Sequence, residues 1–167
     1  AEYDFILIDC PPSLSMLTLN GLSCAHGVIV PMQCEYFALE GLSSLVDTIE
    51  ALKGQLNPAL EIDGIVRTMF DVRNNLANAV SAELTNHFGE LVFDTVIPRN
   101  VRLAEAPSHG QSIVGYDRAS RGGIAYLGLA GVAYMFFGWF GTVIDESQRG
   151  LYNAGVDRSF RMGMMWF

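Results

Sequence analysis

The chain has 167 residues, 50% hydrophobic and 17% charged, which excludes an extended disordered chain and fits about one domain. Its net charge is −8, from 10 Lys+Arg against 18 Asp+Glu, but nine acids and one base lie in residues 1–66, six of each in 67–121 and three of each in 122–167. The acidity that would repel DNA or an anionic membrane is therefore local, and beyond residue 66 every cation is an arginine, Lys53 being the only lysine.

Cys10, Cys24 and Cys34 are an odd set without a C-x-x-C pair, which argues against a disulfide framework or zinc site and for a reducing, cytoplasmic setting. The start at Ala1, with no basic and apolar leader, reads as a cut through a longer protein. Residues 5–8 (Phe-Ile-Leu-Ile) are wholly apolar and close on Asp9 and Pro11-Pro12, predicting a strand buried on both faces of a parallel sheet. A helix is expected over 14–25, and Gly27 to Pro31 repeats the short apolar run. Residues 38–53 are the clearest helix: Leu39, Leu42, Leu45, Val46, Ile49 and Leu52 share a face, and Gly54 is placed to end it.

A third strand is expected over Ile62 to Met69, a helix over Leu76 to Phe88, and a fourth strand over Leu91 to Ile97, closed by Pro98. Alternation at these lengths predicts an α/β fold, a mainly parallel sheet with helices on both faces. Residues 122–144 carry no charge and include six glycines. They read either as a membrane segment, since a bilayer needs about 20 apolar residues, or as a last core helix to about residue 130 followed by unrelated sequence. Arg158 to Phe167 fits no recognisable pattern.

In such folds the active crevice lies beyond the carboxyl ends of the strands. The residues there are Asp9-Cys10, Gln33-Cys34-Glu35, Thr68 to Arg73 and Pro98-Arg99-Asn100. An aspartate ending a buried apolar strand is the Walker B arrangement, which helps hold Mg²⁺ beside nucleotide phosphates; a capping aspartate gives the same pattern. No G-x-x-x-x-G-K-[ST] phosphate cradle occurs in these residues. His109 reads as a loop residue, and the thiol of Cys10, beside a carboxylate, as unreactive. Glu35 and Glu40 read as favourable charge at a helix start.

Residues 3–14 (YDFILIDCPPSL), 31–42 (PMQCEYFALEGL) and 96–110 (VIPRNVRLAEAPSHG), with Thr68 to Asp71 and Tyr116 through Gly122, resemble the ParA/Soj chromosome-partitioning ATPases. The likeness covers about residues 3–130, making 1–130 the carboxyl-terminal part of a P-loop NTPase-like domain and 131–167 a tail outside it. It implies a deviant Walker A ATPase that binds ATP and Mg²⁺, forms a homodimer around nucleotide, coats DNA nonspecifically and answers to a ParB-type partner. It also implies Asp9 at the metal, Cys10-Pro11-Pro12 at the γ-phosphate sensor, and Pro98, Arg99 and Asn100 along the adenine, with Met69 on the opposite wall. Arg102, with Arg73 and Arg99, falls where the family contacts DNA. The family's phosphate loop and its lysines have no counterpart here, so the chain alone is expected to be inactive as an ATPase. A non-catalytic DNA- or partner-binding module and a membrane-tethered MinD-like relative are the alternatives.

Overall fold

The computed structural model describes residues 5–11, 13–133 and 160–165, the last as backbone only. These fall into two compact units, residues 5–99 with 160–165, and residues 100–133.

The first unit is built on strands β1 (Phe5–Cys10), β2 (Gly27–Gln33), β3 (Glu61–Phe70) and β4 (Val92–Pro98), linked in turn by helices α1 (Met16–Cys24), α2 (Ala38–Gln55) and α3 (Asn75–Phe88). Each lies within a few residues of its predicted span. The sheet also contains a strand that the sequence reading missed, Phe160–Met165, called β5 here, and its order is β1-β5-β2-β3-β4 with every pairing parallel. A Phe-Arg-Met-Gly-Met-Met segment has neither the β-branched content nor the alternation that marks strands.

The β1-to-β2, β2-to-β3 and β3-to-β4 connections step across the sheet in one direction, so right-handed crossovers set α1, α2 and α3 on a common face. Their buried residues, Leu22 of α1, Leu42, Leu45, Ile49 and Leu52 of α2, and Ala77, Val80 and Leu84 of α3, form one cluster with Val28, Val30, Met32 and Ile65 of the sheet. On the opposite face Ile29, Pro31 and Val66 are buried as well. Each buried valine, leucine, isoleucine or methionine among them contributes about 1.5–3 kcal/mol through its removal from water.

Two expectations need correcting. Gly54 does not end α2; it stays in the helix, which closes when Leu56 N–H donates to the Leu52 carbonyl (2.8 Å). The stop is set just beyond, where the Asn57 amide donates to the carbonyls of Leu22 (2.9 Å) and Ala25 (2.7 Å) and ties the turn to the end of α1. β1 is also not buried on both faces: Ile8 and Cys10 pack toward Gly21 of α1, while Leu7 on the other side is 63% exposed.

The β2–β3 ladder holds one extra residue. Val28 is opposite Ile62 and Ile29 opposite Gly64, so Asp63 forms a bulge. Its carboxylate lies over Gly27, where any Cβ would collide with it.

The second unit contains α4 (Val101–Glu105), a 3₁₀ turn at Ala106–His109, α5 (Ile113–Tyr116) and a helix over 121–133, α6. Ser120 caps α6 by accepting from Gly123 N–H (3.0 Å), and its own N–H donates to Asp117 (3.0 Å). A Cβ on Gly123 would fall 2.6 Å from the Asp117 carbonyl oxygen, so only glycine fits there. No helix among the described residues is long and apolar enough to cross a membrane; of the uncharged stretch, 134–144 lies outside them.

Candidate functional site

All the strands of the first unit are parallel, so the residues ending them share one edge of the sheet. Asp9 and Cys10 end β1. The loop after them is held by the buried Thr18 hydroxyl, which donates to the Ser13 carbonyl (2.7 Å) and approaches that of Pro11 (3.4 Å). The Asp9 carboxylate is exposed and makes no hydrogen bond or ion pair with the described residues. Cys10 is buried, and burial, with the Asp9 charge second, pushes its thiol upward and away from nucleophilic character. Cys34, beyond β2, is likewise raised by burial, against a weaker opposing effect of Arg67.

The other end of the edge is formed by β3 and β4. Phe70 is opposite Pro98, and Arg99 N–H donates to the Phe70 carbonyl (3.0 Å), which brings Met69, Phe70, Pro98 and Arg99 together. Met69 has φ +49°, a left-handed conformation that costs a non-glycine residue about 1–2 kcal/mol, and its side chain is 47% exposed. A large, polarizable apolar side chain is thus left half exposed one residue before the Phe70–Pro98 pairing. Nothing in the residue type signals this, because methionine is not a residue of left-handed turns.

The turn after β3 holds a pair that the sequence reading only half recovered. Arg73 clamps Asp71 through Nε (2.9 Å) and Nη2 (2.7 Å), and its backbone N–H donates to the same carboxylate (3.0 Å). These bonds hold the Asp71 carboxyl well below the usual carboxylate range, with Arg99 adding a smaller effect of the same sign. Arg73 is thus an expected DNA contact already engaged by a neighbour, although its side chain remains 86% exposed.

Asp9 shares the edge with the Met69–Arg99 group but not its neighbourhood. β1 and β3 are three strand positions apart, about 14 Å at the usual spacing. Asn100 and Arg102 belong to the second unit. The Asn100 side chain caps α4 by accepting from Arg102 N–H (2.8 Å). The Arg102 guanidinium pairs with Glu105 (2.9 Å) and Asp117 (3.6 Å). Glu105 also accepts from the Tyr116 hydroxyl (3.3 Å), and the His109 ring stacks on Tyr116 with centroids 4.9 Å apart. His109 is accordingly a packing residue.

Among the described residues no three His, Cys, Asp or Glu side chains converge as a metal cage. Asp9 fits a different role, an exposed carboxylate, unpaired among the described residues, that could share a cation with a ligand's own oxygens. Mg²⁺ suits that arrangement, because it is commonly bound by one or two carboxylates together with phosphates and waters.

A family profile described as an AAA domain matches residues 1–62. The chain is 64% identical over 130 residues to an uncharacterized protein of Pseudomonas putida, covering 78% of this chain and 49% of that protein. It is 55% identical over 128 residues to the chromosome partitioning protein ParA of Caulobacter vibrioides, covering 77% and 48% respectively. To the sporulation initiation inhibitor protein Soj of Bacillus subtilis it is 53% identical over 129 residues, covering 77% and 51%. The chain thus spans about half the length of the curated relatives it matches. Among solved structures, cobyrinic acid a,c-diamide synthase from Mycobacterium smegmatis, with a bound ATP analog and magnesium, is similar at a TM-score of 0.56 and 37% identity over 70% of this chain and 42% of that one. The same enzyme with bound ADP and magnesium is similar at 0.53 and 36%.

Proposed function

Because the chain is a partial-length homologue of the ParA/Soj chromosome-partitioning ATPases, we propose that it is a portion of an ATPase that partitions chromosomes or plasmids. The observation that carries this reading is the 55% identity to a partitioning ParA over 128 residues, on a parallel sheet whose first strand ends in an exposed aspartate that is unpaired among the described residues. The activity proposed for the whole protein is ATP-dependent dimerisation in the cytoplasm and nonspecific binding to DNA, under the control of a ParB-type partner.

In this reading the two ends of the strand edge divide the labour. Asp9 would help hold Mg²⁺, and the ion would supply neutralisation of the charge on the phosphates. Met69, Pro98 and Arg99 would line the adenine, with the half-exposed Met69 supplying an apolar, polarizable side chain. Asn100 sets the start of the helix that follows. Arg73 and Arg102 face DNA phosphates, each in competition with its own carboxylate partners, so binding is weak and salt-sensitive. The 167 residues hold no phosphate loop, and positioning is most of phosphoryl-transfer catalysis, so this chain does not turn over ATP by itself.

Phosphate release from Mg-ATP by the purified chain tests the last statement, and turnover above the blank overturns it. The family role is tested by joining the chain to the phosphate-loop segment of a ParA relative. The joined protein should hydrolyse ATP, and Asp9→Asn should lower its turnover by about a hundredfold or more, the scale of one lost electrostatic contact in a transition state. Unchanged turnover in Asp9→Asn defeats the assignment of Asp9.

A further inference from the structure

Hydroxyls carried on the helices of this chain mostly bond within their own helix. Those of Ser23, Ser43, Ser44, Thr48 and Thr85 each donate to the carbonyl four residues back. Thr18 does not. From the third residue of α1 its Oγ1 reaches past the helix start, donating to the Ser13 carbonyl (2.7 Å) and approaching that of Pro11 (3.4 Å) in the loop from β1. The side chain is fully buried and shares the inward face of α1 with Gly21 and Leu22, where an aliphatic residue would ordinarily sit. A hydroxyl is costly to bury there unless it is bonded, and these carbonyls satisfy it. Ser15, at the N-cap position, makes no side-chain cap bond, and its N–H donates to the same Ser13 carbonyl (2.7 Å). The junction between loop and helix therefore converges on one carbonyl, held from the core.

We infer that Thr18 is a positioning residue whose hydroxyl fixes the course of the loop leaving Asp9 and Cys10. Being fully buried, it meets no ligand and acts through the carbonyls it holds. The end of β1 is fitted to the same helix, since a Cβ on Gly21 would stand 3.0 Å from the Cys10 sulfur. What the loop does at a terminal phosphate rests on the proposed function, but its anchoring to α1 does not.

Two variants separate the hydroxyl from the packing. Thr18→Val keeps the branched shape and removes the donor, whereas Thr18→Ser keeps the donor and loses a methyl group. Amide hydrogen exchange on the full chain is the first readout, with Ser15 N–H as the reporter. Thr18→Val should exchange there about tenfold faster or more, with β3 and α3 unchanged, and Thr18→Ser should stay within about threefold of the parent. A folded Thr18→Val chain in which Ser15 exchanges as in the parent overturns the inference. If Thr18→Val does not fold, the parent decides: a Thr18 hydroxyl proton that exchanges slowly enough to be seen by NMR sustains the inference, and one that exchanges at the solvent rate overturns it. The second readout is the chain joined to a relative's phosphate-loop segment. There Thr18→Val should lower kcat about tenfold or more with KM for ATP within about twofold, and Thr18→Ser should restore most of it. An unchanged kcat in Thr18→Val, beside a large loss in Asp9→Asn, overturns the positioning role and leaves the proposed function standing. If the joined parent does not hydrolyse ATP, the proposed function has failed, and Ser15 exchange alone decides whether Thr18 positions the loop.

Discussion

β1 and β2 begin from the same kind of sequence, a short apolar run stopped by a polar residue or proline, and end in opposite environments. Val28, Ile29 and Val30 are buried on both faces of the sheet, whereas Leu7 is largely exposed and Ile6 is 39% exposed. β2 has strands on both sides and side chains packed over each face. β1 is an edge strand, with α1 over one face and, among the described residues, nothing over Leu7. An apolar run therefore reports the surroundings a strand is suited to; whether it is buried depends on what the rest of the polypeptide brings to it.

That contrast can be broken or sharpened by substitution, with unfolding in urea as the common measurement. The largest effect is expected at Leu45, fully buried in α2 against the sheet, where Leu45→Ala should cost about 3 kcal/mol through lost transfer energy and a cavity. Asn74 caps α3 by accepting from Leu76 N–H (3.0 Å) and Ala77 N–H (3.4 Å), and Asn74→Ala should cost about 1 kcal/mol.

Asp63 should respond with the opposite sign. Burial, and secondarily the charge of Glu61, raise its carboxyl to about 6, and its Oδ2 has no hydrogen-bond partner among the described residues. A carboxyl raised on folding favours the protonated native state, so its stabilising contribution is complete below about pH 4 and is lost as the pH rises through 6. Asp63→Asn should flatten the stability profile between those values. At pH 7.5 it should stabilise by about 1 kcal/mol, discounted for the part of the group that water still reaches. The smallest effect belongs to β1: Leu7→Thr should change stability by no more than about 0.5 kcal/mol. A loss comparable to that of Leu45→Ala would mean that Leu7 is covered, and the contrast between the strands would collapse.

Most of the sheet was readable because its strands are apolar runs punctuated by proline and its helices have a single apolar face, as in Leu42, Leu45, Ile49 and Leu52. Position along the chain was readable, and with it the residues that end the strands. Three things were not. β5 has no strand-like composition, and its pairing partners lie some 150 residues away in sequence, as with Ile8 and Gly163. The left-handed backbone of Met69 comes from its surroundings at the end of β3 and not from the residue. The engagement of Arg73 by Asp71 and of Arg102 by Glu105 and Asp117 depends on local turn geometry, which a list of charges does not contain.

Arg67 carries a consequence of its own. Its guanidinium donates to the Ser81 hydroxyl of α3 (3.0 Å) and to the carbonyls of Phe93 (2.9 Å) and Asp94 (3.4 Å) of β4, with no carboxylate paired to it among the described residues. A planar fork of donors reaches two elements at once, which a lysine ammonium on a flexible stem does not reproduce. One side chain thus ties a strand, the helix after it and the next strand together by direct hydrogen bonds, in addition to the core packing of Ala77, Val80 and Leu84, and Arg67→Lys should loosen that tie.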